Sequence, residues 1–183
     1  NMDKYFTYQG IRLHYTVKGV GQPLFLLHGW GCDGKIWERI STFLEQHFQL
    51  YTFDFAGFGL SEEPAEVWGV DEYTRSIEAI AQSEGVSNPI LIGHSFAGRV
   101  AIVFASRNQT HKIILTDAAG VKPKRGFTYY RKVYSYKLFK HLAHIFLGHE
   151  RAEKLIEKRR AKSGSSDYNN ASPMMRAILS KVV

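Results

Sequence analysis

The chain has 183 residues, 44% of them hydrophobic and 14% aromatic, which is enough apolar material for one buried core and too much for a disordered chain. No stretch approaches the roughly 20 apolar residues that span a bilayer, and Asn1-Met2-Asp3-Lys4 leads into no apolar signal core, so a cytoplasmic protein with no membrane partner is expected. The formal charge of +7 is uneven, with 7 Lys/Arg against 12 Asp/Glu in residues 1–100 and 17 against 5 in residues 101–183; a basic half of this kind reads as solvated helix faces, and no nucleic-acid partner is expected.

Along the chain, Gln9-Gly10 is a turn, and Ile11, Leu13, Tyr15 and Val17 alternate with polar residues. That is the period-two pattern of a half-buried strand, so the chain opens with a β-hairpin. Unbroken apolar runs at Leu24 to Leu27, Leu50 to Phe55 and Pro89 to Ile92, with Lys112 to Thr116 as a fourth, suit strands covered on both faces. Helical patterns lie between them. Asp33 is placed to cap a helix with Ile36, Trp37, Ile40, Phe43 and Leu44 on one face, Asp71 to cap a second with Tyr73, Ile77 and Ile80, and Phe96 to Arg107 forms a third. Strands alternating with such helices imply an α/β fold with a mostly parallel sheet and helices on both faces.

After Asp117-Ala118-Ala119-Gly120 the sequence turns basic and Tyr-rich. Phe127 to Leu147 and Glu150 to Lys162 read as helices, Ser163 to Ser166 as a connector, and Ser172-Pro173 as the N-cap and first residue of a last helix with no stop signal. Residues 1–120 are thus expected to form a core and 121–183 an incomplete helical region. Cys32 is the single cysteine. It excludes an intramolecular disulfide, no Cys/His spacing resembles a zinc site, and neither a metal nor an organic cofactor is expected.

Gly93-His94-Ser95-Phe96-Ala97-Gly98 stands where an apolar strand ends and an apolar helix begins. A nucleophile at such a turn needs small residues two positions either side, and Gly93 and Ala97 meet that need, with Ala a mild departure from the usual Gly. A Gly-rich turn alone could equally reverse the chain or cradle a phosphate. Here, however, an earlier strand ends in His28-Gly29-Trp30-Gly31 and a further one in Asp54-Phe55-Ala56-Gly57-Phe58-Gly59-Leu60-Ser61. In this order and spacing the three segments resemble the α/β-hydrolase superfamily, in its subgroup with a helical cap after the sixth strand.

The resemblance implies Ser95 as nucleophile, facing a pocket, with the backbone N–H groups of Phe96 and Trp30 as an oxyanion hole. It also implies an acid and a histidine later in the chain, after strands this sequence does not contain, so both are expected beyond residue 183. Asp117 is the best acid within the chain. His141, His144 and His149 read as surface or packing residues, His28 as a loop brace, His94 as pointing elsewhere and Cys32 as a small buried side chain. Tyr129, Tyr130, Tyr134 and Tyr136 are placed to roof the pocket. The implied activity is hydrolysis of a small ester or related carbonyl substrate through an acyl-enzyme; amide, thioester and carbon–carbon bond hydrolysis and a non-catalytic binding module are the alternatives. A sheet ending at its sixth strand would leave an open edge, and the expected partner there is the rest of the fold or a second chain.

Overall fold

The computed structural model describes residues 2–118, 126–163 and 170–183. They divide into two compact units, residues 1–121 with 171–183, and residues 122–170. The division differs from the expected 1–120 and 121–183, because the last helix belongs with the first unit. Residue 120, the expected boundary, the connector 164–166 and the side chain of Tyr129 lie outside the described residues.

The first unit is built on a six-stranded sheet of order β1-β2-β4-β3-β5-β6. Strands β1 (Met2–Tyr8) and β2 (Ile11–Lys18) form the expected antiparallel hairpin. Strand β2 also pairs antiparallel with β4 (Phe48–Phe53), while β3 (Gln22–Leu27), β4, β5 (Ile90–His94) and β6 (Lys112–Thr116) run parallel. The apolar runs split by alternation between two faces. Phe25, Leu27, Tyr51, Phe53 and Leu91 enter one core with the helices α2 (Val70–Ser83) and α3 (Ala97–Arg107), whereas Leu24, Leu26, Leu50, Ile90 and Ile92 enter a smaller one with Trp37. The final helix, α5 (Pro173–Val182), adds Met175, Ile178 and Val182 to the first core, and its start is capped as expected, Met175 N–H donating to Ser172 Oγ at 3.2 Å.

Three local expectations change. Asp33 does cap, accepting from Lys35 N–H at 2.8 Å, but the first turn, Gly34–Trp37, is 3-10 and only Glu38–Leu44 (α1) is α-helical. The tighter turn shifts the phase of the apolar stripe: Trp37 and Ser41 are buried, while Ile36, Ile40 and Phe43 are exposed. Asp71 is not the cap of α2. Gly69 holds that position, its N–H donating to Glu72 Oε2 at 2.8 Å, and Asp71 sits in the first turn paired with Arg75 and Arg107. Among the described residues strand β6 is not covered on both faces, since Ile113 and Ile114 are exposed; it pairs on one side only, the open edge expected of a sheet that ends at its sixth strand.

The second unit contains α4 (Phe127–Ser163), interrupted at Gly148, where φ is 72° and ψ 167°. Its arms bury Ala143, Ala152 and Ile156 against Tyr136 and Phe139, while Tyr130 and Tyr134 are exposed. Among the described residues no helix is long and apolar enough to cross a membrane.

One buried carboxylate ties the loops of the first unit together. Asp54 accepts from Gly34 N–H at 2.7 Å and Leu60 N–H at 3.0 Å, and lies 2.8 Å from His14 Nδ1. His14 also reaches Asp3, which explains why a histidine on the polar stripe of β2 is buried. Ser61 Oγ accepts from His14 N–H and donates to the Asp54 carbonyl. Removing the carboxylate strands three donors, each costing about 1–3 kcal/mol when buried. Asp54→Ala is therefore expected to lower unfolding stability by about 3–5 kcal/mol in urea titrations; a loss under about 1 kcal/mol would refute the network's role.

Candidate active site

The turn between β5 and α3 is shaped by a close approach of backbone to backbone. A Cβ added at Gly93 would stand 2.7 Å from the Ala97 carbonyl oxygen and 3.1 Å from Gly98 N, so no side chain fits there. Ala97 is fully buried on the other side of the turn. Between them Ser95 takes φ 55°, the left-handed region that costs an L-residue about 1–2 kcal/mol. Its backbone is held at both ends: Ser95 N–H donates to the Thr116 carbonyl at 3.1 Å, and Gly98 N–H donates to the Ser95 carbonyl at 2.9 Å. A strained residue held at a strand-to-helix turn is the geometry in which a hydroxyl is presented for chemistry.

The loop after β3 lies directly against this turn. A Cβ at Gly29 would meet Ser95 Cβ at 3.1 Å and His94 Cδ2 at 3.0 Å. Beyond it, the Trp30 ring packs edge-on against Phe96 at 5.7 Å and Phe58 at 4.8 Å, and Phe96 against Phe55 at 5.3 Å. These contacts pack the Trp30 and Phe96 rings together in the loop and turn that adjoin Ser95. Neither backbone N–H has a hydrogen-bond partner among the described residues.

His28 is fully buried and committed at both ring nitrogens: Nδ1 lies 2.8 Å from the Gly29 carbonyl, and Nε2 accepts from Phe55 N–H at 3.0 Å. Since Nε2 must accept, Nδ1 carries the proton and donates. This clamps the β3 loop to the β4 loop, and burial pushes the imidazole pKa below its ordinary value. His94 reaches Thr116 Oγ1 at 3.3 Å. Asp117 is exposed, also at positive φ (46°), one residue past the carbonyl that holds Ser95, and has no polar partner among the described residues. His141, His144 and His149 belong to the second unit. Among the described residues no imidazole nitrogen hydrogen-bonds Ser95 Oγ.

A cavity of about 350 Å³ is lined by Asp3, His14, Asp33, Lys35, Glu38 and Asp54 among others, and Ser95 does not line it; the pocket expected at the hydroxyl is not this one. Thr116, whose carbonyl anchors Ser95, was not evident from the sequence, since a carbonyl's partner depends on strand register rather than residue type.

The clamp has a pH signature. In the unfolded chain an imidazole takes up a proton near pH 6.5, whereas folded His28 resists until lower pH. The unfolded state then binds more protons, so the stability His28 contributes is fully present above about pH 6.5 and is lost as the pH falls below it. The urea midpoint is expected to drop between about pH 7 and pH 5, and to drop less steeply in His28→Gln; parallel pH profiles would show that the clamp does not titrate this way.

Comparison with known proteins agrees with this geometry. Residues 22–181 match the family model described as the alpha/beta hydrolase fold. The chain is 36% identical over 110 residues to the pimeloyl-[acyl-carrier protein] methyl ester esterase of Vibrio cholerae, covering 58% of this chain and 40% of the relative. It is 34% identical over 112 residues to a soluble epoxide hydrolase of a Corynebacterium species, covering 59% of this chain and 38% of the relative. The chain therefore matches well under half the length of either relative. Among solved structures, an esterase from Exiguobacterium antarcticum superposes with a TM-score of 0.66 at 20% identity, covering all of this chain and 74% of that one. By family model, sheet topology and strand-to-helix turn together, the chain belongs to the alpha/beta hydrolase fold family.

Proposed function

We propose that Ser95 is the nucleophile of a serine hydrolase acting on small esters or related carbonyl substrates, with no metal or organic cofactor in the reaction. The observation that carries this reading is the left-handed Ser95, wedged between Gly93 and Ala97 with the Gly29 backbone against it. In the reaction a base takes the Ser95 hydroxyl proton while Oγ attacks the substrate carbonyl. The backbone N–H groups of Trp30 and Phe96 stabilise the resulting oxyanion, each such donor being worth roughly 10²–10³ in rate. Collapse expels the alcohol with the proton held by the base, and water then cleaves the acyl-enzyme by the same steps in reverse order.

The relatives include both an esterase and an epoxide hydrolase, and the nucleophile's chemistry favours the first. A serine oxygen that opened an epoxide would form an ether, with no carbonyl for water to attack and no route to turnover. A serine that acylates forms an ester, which water can cleave. We further propose that the base and its orienting carboxylate come from residues outside these 183, because His28 is committed at both nitrogens and His94 to Thr116. The same residues would cover β6, whose Ile113 and Ile114 are exposed on an edge paired on one side only; a second chain pairing there is the alternative occupant.

The test is hydrolysis of short p-nitrophenyl esters by this chain and by any longer product of the same reading frame. The longer product is expected to turn over, and Ser95→Ala to lower kcat/KM by about 10³-fold or more with the fold retained. Unchanged turnover in Ser95→Ala would remove Ser95 from the mechanism.

A further inference from the structure

The second unit holds a cluster that the hydrolase reading does not use. Gly148 breaks α4 with φ 72°, in the region that favours glycine, and the two arms fold back on each other. The contacts join positions roughly equidistant from the break: Ala143, Ala152, Ile156 and Phe139 pack together, and Arg159 lies over the Phe139 ring at 4.3 Å. His144 and His149 would point in different directions on an unbroken helix, being five residues apart. Across the break their rings stack 5.5 Å apart at 26°. Glu153, one turn beyond His149, reaches His144 Nε2 at 3.2 Å.

We propose that His144, His149 and Glu153 form a binding site for a divalent transition metal of the zinc class. One ligand atom from each lies within 4.8 Å of the other two. Zinc bonds of about 2.0–2.1 Å in tetrahedral arrangement put ligand atoms about 3.3 Å apart; the His144–Glu153 separation already matches, and small side-chain rotations close the rest. Two imidazoles with one carboxylate suit zinc, cobalt or nickel, whereas magnesium and calcium prefer oxygen ligands alone. A simple ion pair explains the cluster less well. His144 and Glu153 are both partly exposed, so their pairing contributes little by itself, and it leaves His149 without a polar partner among the described residues. A metal would join the two arms across Gly148, and with three protein ligands it would keep one position open.

The spacing, His-x4-His-x3-Glu, fits neither a zinc finger nor one face of an unbroken helix; only the glycine break brings the ligands together. The test is equilibrium dialysis of the 183-residue chain against zinc chloride at neutral pH, with thermal unfolding followed by circular dichroism. One zinc per chain is expected, with a higher Tm in its presence. His149→Ala and Glu153→Gln should each weaken binding roughly tenfold or more and abolish the Tm shift. His141→Ala, in the same arm but outside the cluster, should change neither. Absence of zinc binding at about 100 µM, a concentration far above the dissociation constants of structural zinc sites, would overturn the proposal, as would equal binding by a folded His149→Ala/Glu153→Gln double variant.

Discussion

The approach of Gly93 to the Ala97 carbonyl is the contact on which the active-site region depends. With only 2.7 Å available where a Cβ would stand, α3 can start that close to β5 only if position 93 is glycine. The turn must then reverse within Ser95, which takes the left-handed conformation, and the hydroxyl is carried on a residue whose backbone has no freedom left to relax. Pairing of β5 with β6 supplies the Thr116 carbonyl that fixes the Ser95 N–H. The parallel sheet and the elbow are therefore one construction, and the strain of about 1–2 kcal/mol at Ser95 is small beside the burial of β5 and α3 that holds it.

Two further polar hubs keep the surrounding loops in register. His28 joins the loop after β3 to the loop after β4, and Asp54 joins the start of the Gly34 turn to Leu60 and to β2. His28 holds the Gly29 carbonyl in the loop that lies against Ser95, and the Trp30, Phe58, Phe96 and Phe55 rings pack together beside it. Under the proposed mechanism, the apolar rings beside the Trp30 and Phe96 N–H groups, unpaired among the described residues, would strengthen each donor toward a developing oxyanion.

Much of this was legible in the residues. The runs at Leu24, Leu50 and Pro89 became β3, β4 and β5 because continuous apolar stretches suit strands buried on two faces, and the Ser95 turn was readable from the small residues that its sterics demand. What escaped depended on geometry that no periodicity encodes. The 3-10 turn before α1 rotated Ile36, Ile40 and Phe43 out to solvent, and Gly69 displaced Asp71 as a cap because Glu72 could reach its N–H. The last helix was visible from its Ser172-Pro173 start, but not that its Met175, Ile178 and Val182 pack with the first unit. His14 looked like a polar residue on an exposed stripe, and only the fold brings Asp3 and Asp54 to its two nitrogens.

The claim that Ser95 is the reactive residue is tested most directly by covalent labelling. The protein expressed from its complete reading frame would be treated with a fluorophosphonate, which reacts with serines activated by a neighbouring base, and digested for mass spectrometry. The account predicts a single adduct on the peptide containing Ser95, absent in Ser95→Ala and suppressed by ester substrate. A folded protein that takes up no label, or takes it up at another serine, would contradict it.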